Sequence, residues 1–417
     1  MPKSTNILTP EEVFTPRTIV TRDMFERRNE PDMDGNPGVQ DRLVDALRDR
    51  GGQVLIYGDT GVGKSSLIKY AAEDEELNMV TVECTEETDY AGIIDSVVQQ
   101  LLDVREIKYT ENTSYGAEAS AEVSIPWFSR VSGKIKGTKG KSSDYEVIQK
   151  PALDVAMELM SKTGASLLVL DNFQNIFSES TRKLVSQLLE RLSDRASRTL
   201  VGSEIKCIVI GIADDATSVL GTSRSYLRRT AQIGVPRMPD EEIRALLTRG
   251  FKLLNINVPN EIMDDFVFYS DGFPYFAHII GLNVSRLALR SNIDRVGENE
   301  LQSALTEAAR SVSASYKNRI DLALENGGKV RPRTQIINFL AKDSKRIWSG
   351  NEVQQLWVDN VGPRDDFSSI HVALGQLTTE KHGQILKRTG KKKSYRYQFT
   401  DPHIRPFIRI THTKNIR

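Results

Sequence analysis

Five short runs of apolar residues constrain this chain more than any other feature: Gln53–Tyr57, Met79–Cys84, Leu167–Leu170, Cys207–Ile212 and Gln232–Val235. Helical patterns lie between them. A run without polar alternation predicts a strand buried on both faces. Such strands, alternating with helices, predict a parallel sheet covered on both sides. One stretch breaks the rhythm. Glu106–Ser143 is rich in Gly, Ser and Lys, with a weak alternation over Ala119–Ile125, and reads as an inserted loop or hairpin.

The first run leads directly into Gly58-Asp59-Thr60-Gly61-Val62-Gly63-Lys64-Ser65, followed by Ser66 and a helical pattern over Ser65–Ala72. The spacing G-x-x-x-x-G-K-[ST] suits a phosphate chain. Glycines let backbone N–H groups turn inward, the lysine reaches the terminal phosphates, and the Ser65 hydroxyl completes a Mg²⁺ shell. The phosphates then meet the positive end of the helix. A loop of this kind requires a second acid at the end of another buried strand, to hold Mg²⁺. Asp171 supplies it, 107 residues beyond Lys64.

Other positions are open to two readings. Asn172 follows Asp171; an amide orients water but takes no proton from it, which predicts slow hydrolysis. Glu83, ending the second run, is either a substitute carboxylate or a solvated strand end. Asp214 either senses a γ-phosphate or is an ordinary loop aspartate. Arg228-Arg229 precede the last run and are either an arginine finger for a neighbouring subunit, with Arg229 favoured, or a solvated pair. No guanine signature is present, so ATP is expected over GTP.

Beyond Pro236 the pattern is helical: a start at Pro239-Asp240-Glu241-Glu242, then Asn260–Tyr269, Tyr275–Arg290 and Asn299–Glu325. After Gly327-Gly328 comes a basic segment. Here composition matters. The whole chain holds 56 Lys+Arg and 56 Asp+Glu, but residues 329–417 hold 18 basic and 7 acidic. The net zero is therefore a balance of +11 in this segment and −11 elsewhere. Within it, Arg333–Ala341, a helix opened by the capping box Ser349-Gly350-Asn351-Glu352, and Ser368–Glu380 read as three helices. Gln384–Arg388 and Ser394–Phe399 then form a hairpin tipped by Lys391-Lys392-Lys393. This is the outline of a winged helix, with duplex DNA as the favoured ligand of Lys391, Lys392, Lys393 and Arg396, and protein as the competing one.

The remaining totals exclude whole classes. A chain 39% hydrophobic and 27% charged is core-forming and neither disordered nor fibrous. No run approaches the ~20 apolar residues of a membrane span. Met1-Pro2-Lys3-Ser4-Thr5 lacks a signal-peptide pattern, and Cys84 and Cys207 lie inside strand-like runs, so the expected location is the cytoplasm. The five histidines form no metal spacing.

Taken in order, Val54–Ser66, Leu167–Asp171, Ile208–Asp214 and Arg228-Arg229 before a helical segment resemble AAA+ and STAND-type ATPases. The resemblance is closest to bacterial members related to the origin-recognition initiator ATPases. Val13-Phe14-Thr15-Pro16, Asp23-Met24-Phe25 and Arg28 are similar to the segment that lies over adenine in that group. Ser270-Asp271-Gly272-Phe273-Pro274 resembles the start of the lid helix, and Tyr397-Gln398-Phe399-Thr400-Asp401-Pro402 the end of the winged domain. The resemblance implies an α/β fold: a P-loop NTPase parallel-sheet core with a helical lid and a C-terminal winged helix. Its divisions are a 1–40 extension over the nucleotide site, a 41–237 core with the 106–143 insertion, a 238–326 lid and a 329–417 winged helix. It implies ATP and Mg²⁺ as cofactors and self-association with ATP. The lid start departs from the family, with Pro274-Tyr275-Phe276 where initiators carry a sensing arginine; His278, nearby, reads as a core histidine. Together with Asn172 this points to a slow switch. The alternatives are a signalling or anti-phage defence switch whose winged helix binds protein, such as an effector from the same operon, or a scaffold that binds nucleotide without turnover.

Overall fold

The computed structural model describes residues 8–31, 35–102, 152–196, 198, 204–212, 228–311, 314–324, 331–363, 366–391 and 394–411. It divides into a sheet unit (Arg27–Thr60 and Lys64–Pro236) and a helical unit (Met1–Glu26, Gly61–Gly63 and Arg237–Arg417). The insertion at 106–143 and Asp214 lie outside the described residues. No helix among the described residues is long and apolar enough to cross a membrane.

The chain opens with α1 (Pro10–Val13), part of the helical unit. The sheet unit then runs α2 (Val39–Arg48), β1 (Gln53–Tyr57), α3 (Lys64–Asp74), β2 (Asn78–Glu83), α4 (Tyr90–Leu102), α5 (Ala152–Thr163), β3 (Ala165–Asp171), α6 (Glu179–Ala196), β4 (Lys206–Gly211) and β5 (Thr230–Gly234). All the apolar runs are strands. They form one parallel sheet in the order β2-β3-β4-β1-β5, so consecutive strands are joined by crossovers. The period of two sorts each strand's side chains to two faces. Val80, Val82, Leu168, Leu170 and Val209 share a core with Ile93 and Val97 of α4, Met157 of α5 and Leu188 of α6. Alternate residues such as Leu167, Val169, Ile208 and Ile210 are equally buried on the other face. Cutting Leu168 or Val209 back to alanine would remove buried methyl groups with nothing to refill the space, costing about 2–5 kcal/mol for the leucine. Both cysteines are buried and free. Burial pushes the Cys84 thiol up to about 12 and the Cys207 thiol up as well, so both are packing groups.

In the helical unit, α7 (Asp240–Leu253) begins after Pro239 with three acids in its first turn, where the helix dipole favours them. It is followed by α8 (Asn260–Ser270), α9 (Pro274–Arg290), α10 (Glu298–Ser311) and α11 (Ala314–Ala323). The N-terminal segment packs on these helices. Phe14 is fully buried, its ring 5.3 Å from Phe251 and 5.8 Å from His278. Gly250 and Gly281 make room for it: a methyl on either would come 2.4 Å from the ring. Arg249 donates to the Phe25 carbonyl at 3.0 Å and pairs with Glu26. His278 is a core histidine. Its Nδ1 accepts the Thr15 N–H at 3.1 Å, and burial pushes its pKa down to about 4.

The basic segment continues with α12 (Pro332–Lys342), β6 (Trp348–Ser349), α13 (Gly350–Val361), α14 (Ser368–Leu377), β7 (Leu386–Thr389), β8 (Arg396–Phe399) and α15 (Ile404–Thr411). Its antiparallel sheet has the order β6-β8-β7. The capping box forms as the sequence expects: Ser349 Oγ accepts the Glu352 N–H at 3.3 Å, while the Glu352 carboxylate accepts the Ser349 N–H at 2.6 Å. Lys345 and those Ser349 bonds hold the Glu352 carboxyl down at about 2.

One expectation needs correction, and two elements of the segment have no counterpart in the sequence pattern. The third helix stops at Leu377 rather than running to Glu380, because the Thr378 and Thr379 hydroxyls donate back to the Gly375 and Gln376 carbonyls at 2.8 and 2.7 Å. Strand β6 escapes pattern reading because it is two residues long. In helix α15, Arg405 and Arg409 are buried, with Asp271 and the carbonyls of Ala341 and Asp343 as partners.

Candidate functional site

Strand β1 delivers the chain to the loop at its C-terminal end. There Val235 N–H donates to the Tyr57 carbonyl at 2.8 Å, drawing β5 against the loop's first residue. Gly58 has φ +147° and a methyl on it would lie 2.5 Å from the Val235 carbonyl, so only glycine fits. Gly61 and Gly63 are also in the positive-φ region, at +77° and +93°. The loop ends in Lys64, the first residue of α3.

The Lys64 ammonium folds back over the loop and donates to the Gly58 and Asp59 carbonyls, each at 2.8 Å. Burial lowers its pKa to about 8, against the attraction of Asp171 and Asp59. Asp171 therefore lies within electrostatic reach of the loop lysine, as the spacing of the two motifs requires. Ser65 and Ser66 occupy the first turn of α3, with Ser65 exposed. Among the described residues no group of three or more His, Cys, Asp or Glu stands together to hold a metal. Ser65 offers one hydroxyl in the first turn of α3 and Asp171 one carboxylate at the end of β3, the types of oxygen donor that would suit a Mg²⁺ completed by phosphates and water.

Asp171 ends β3. Its Oδ1 accepts the N–H of Asn172, at 2.7 Å, and Asn172 is left-handed at φ +54°. That conformation suits asparagine better than most residues. The turn that follows ties three strand ends together. Asn175 Nδ2 donates to the Cys84 carbonyl at 3.1 Å, Gln174 Oε1 accepts the Ile212 N–H at 3.1 Å, and Cys84 N–H donates to the Asp171 carbonyl at 2.9 Å. Neither Gln174 nor Asn175 was legible as a site residue, since their partners are far away in sequence.

Arg229 stands elsewhere. Its carbonyl accepts the N–H of Gln53, the first residue of β1, at 2.8 Å, and its guanidinium pairs with Asp194 at 3.0 Å. It lies at the end of the sheet opposite Gly58, so it does not serve the loop of its own sheet unit; Arg228 beside it is exposed.

Within the helical unit, Tyr275 N–H donates to the Gly61 carbonyl at 3.4 Å. A methyl on Gly61 would come 3.0 Å from Tyr275 Cβ and 3.3 Å from His403 Nε2, and one on Gly63 would come 3.7 Å from Pro274 Cγ. His403 stacks on Tyr275, with centroids 5.9 Å apart, and meets Phe273 edge-on at 4.9 Å. Sequence reading gave His403 no role. The basic hairpin places Lys391 at the turn, exposed, and Arg396 at the start of β8, where it pairs with Glu352 at 3.3 Å. Lys392 and Lys393 lie outside the described residues.

A five-stranded parallel sheet with a glycine loop between β1 and α3 defines the P-loop NTPase α/β fold. Residues 39–201 match the family model of the AAA ATPase domain, and this segment is such a domain, a nucleotide-binding ATPase module. Among solved structures, the chain is similar to the Walker-type ATPase PABY2304 of Pyrococcus abyssi. The two are 16% identical over 95% of this chain and 99% of that one, with a TM-score of 0.50. It also matches the Orc2 protein of Aeropyrum pernix, solved in ADPNP–ADP complexes, at 16% identity over 95% and 98% of the chains with a TM-score of 0.45. Cdc6p of Pyrobaculum aerophilum is 12% identical over 98% and 99%, with a TM-score of 0.47. At 16% identity the likeness to PABY2304 is one of fold. No curated protein matches the chain.

Proposed function

We propose that this chain is a slow, nucleotide-dependent assembly switch that engages duplex DNA through its basic C-terminal segment. ATP binds along Gly58–Ser66, with Lys64 on the terminal phosphates and Mg²⁺ held by Ser65 and Asp171. Asn172 positions water without taking its proton. Asp214 senses the γ-phosphate, and Arg229 reaches the site of a neighbouring copy. The functional divisions are the extension at 1–40, the core at 41–237, the lid at 238–326 and a winged helix at 329–417.

The observation that carries this reading is Lys64, whose ammonium is held by two loop carbonyls with Asp171 close enough to stabilise its charge. A half-buried ammonium that has only carbonyl oxygens as hydrogen-bond partners suits a phosphate ligand. For DNA, support comes from the +11 balance of residues 329–417 and from the exposed turn at Lys391.

One observation favours the second reading, a protein ligand for the same segment. Helix α14 has no Lys or Arg, and its exposed residues include Ser368, His371 and Val372, with Val372 58% exposed. Fluorescence anisotropy with labelled duplex at several salt concentrations separates the two. If the tip neutralises about four phosphates, log Kd against log salt has a slope of about 3.6, and changing Lys391, Lys392, Lys393 and Arg396 to Glu flattens it. Unchanged DNA affinity in that variant would move the segment to protein recognition.

A further inference from the structure

The residue after Asp171 is an amide, and its backbone explains why. At φ +54° and ψ +35°, Asn172 occupies a left-handed turn whose N–H is spent on the Asp171 carboxylate. The carboxylate that activates water must therefore come from elsewhere, and the sheet register supplies a candidate. Strands β2 and β3 are parallel and Glu83 is the direct partner of Asp171. Partners in adjacent strands project to the same face, about 4.8 Å apart at the backbone.

Which face that is follows from the alternation. Val80, Val82, Leu168 and Leu170 belong to the core beneath α4, α5 and α6. Glu83 and Asp171 are odd-numbered neighbours of those residues, so they project to the opposite face; the buried α3 residues Leu67, Ile68 and Tyr70 lie outside that core. Helix α3 begins with Lys64, whose charge Asp171 favours. The strand ends are locked: Cys84 N–H donates to the Asp171 carbonyl, and Asn175 holds the Cys84 carbonyl. Glu83 is exposed, and its side chain makes no hydrogen bond or ion pair among the described residues. A carboxylate fixed at its root, unspent on any partner and side by side with the Mg²⁺ acid is poised for a reaction.

We propose that Glu83 is the water-activating carboxylate of this ATPase, and that Asn172 orients the same water as its partner. This rests on the reading of Gly58–Ser66 as an ATP site. In the step, the water oxygen forms a bond to the γ-phosphorus while the bond from that phosphorus to the β,γ-bridging oxygen breaks. The electron pair leaves with ADP, and the water proton passes to the Glu83 carboxylate and from there to solvent. A single positioned base of this kind contributes typically 10²–10⁴-fold in rate.

The test is Glu83→Gln in the full chain, read in two ways. Turnover, measured as phosphate release, should fall by about 10²-fold or more, while the ATP Kd from equilibrium dialysis changes by less than about threefold, under roughly 0.7 kcal/mol. Nucleotide recovered from the variant after mixing with labelled ATP should be ATP, whereas the wild type yields ADP. Adding Asn172→Glu to Glu83→Gln returns a carboxylate to the site and should restore part of the turnover. Glu87→Gln, exposed in the turn after β2, should change nothing. The proposal is overturned if Glu83→Gln turns over at the wild-type rate, if it loses ATP binding, or if wild-type hydrolysis is no faster than that of Lys64→Ala. In the first and third cases, retained ATP binding would leave the nucleotide-switch reading intact.

Discussion

Acidification tests the packing of the helical unit most sharply, through His278. The imidazole is 2% exposed, its Nδ1 accepts the Thr15 N–H, and its Nε2 is buried without a hydrogen-bond partner. Burial lowers its pKa from 6.5 to about 4. The folded chain keeps the ring neutral down to that value, whereas the unfolded chain takes up a proton near 6.5. Stability from this group is therefore complete above pH 6.5 and is lost as the pH falls from 6.5 to about 4. A gap of ~2.5 pH units at about 1.4 kcal/mol each gives roughly 3 kcal/mol. Other groups titrate in the same range, so the comparison must be with His278→Gln, which keeps an acceptor for Thr15 and does not titrate. Urea unfolding followed by tryptophan fluorescence is suitable, since Trp348 and Trp357 are buried in the same unit. The variant should be weaker than wild type at pH 7.5, and that deficit should shrink by about 2.5 kcal/mol at pH 4.5. A deficit equal at both pH values would show that His278 is not held neutral by burial, and the account of the Phe14–His278 contact would fail.

Further outcomes follow from single contacts. Gly58→Ala places a methyl 2.5 Å from the Val235 carbonyl; calorimetry should show ATP binding weakened at least tenfold, about 1.4 kcal/mol. Asp271→Asn leaves Arg237, Arg405 and Arg409 buried around a neutral amide, and thermal unfolding should show a loss of about 3–5 kcal/mol. Gly281→Ala drives a methyl to 2.4 Å from the Phe14 ring. The overpacking should cost about 1–3 kcal/mol in urea unfolding, and Phe14→Leu in the same chain should recover part of it.

The sheet was legible because its strands are buried on both faces and carry no competing polar pattern. Val54–Tyr57 and Leu167–Leu170 could be little else, and the loop motif at Gly58 fixes which ends carry chemistry. What escaped is long-range or very short. Strand β6 has two residues, and the partner that buries Arg405 and Arg409, Asp271, is more than 130 positions away in sequence. The proximity of His403 to Gly61 joins residues more than 300 positions apart and left no local signal. Glu83 was visible as a strand-end acid, but only the pairing of β2 with β3 places it beside Asp171. Asn172 pointed to slow hydrolysis in sequence, while its left-handed backbone gives the amide a structural reason.

The central claim is that ATP at the Gly58–Ser66 loop changes the assembly of the chain. Mass measured in solution with ADP and then with a non-hydrolysable ATP analogue, for wild type and Lys64→Ala, tests it directly. The expected result is a larger species with the analogue than with ADP in wild type, and no difference in Lys64→Ala. A wild-type chain that binds both nucleotides yet keeps one mass in both would contradict the switch.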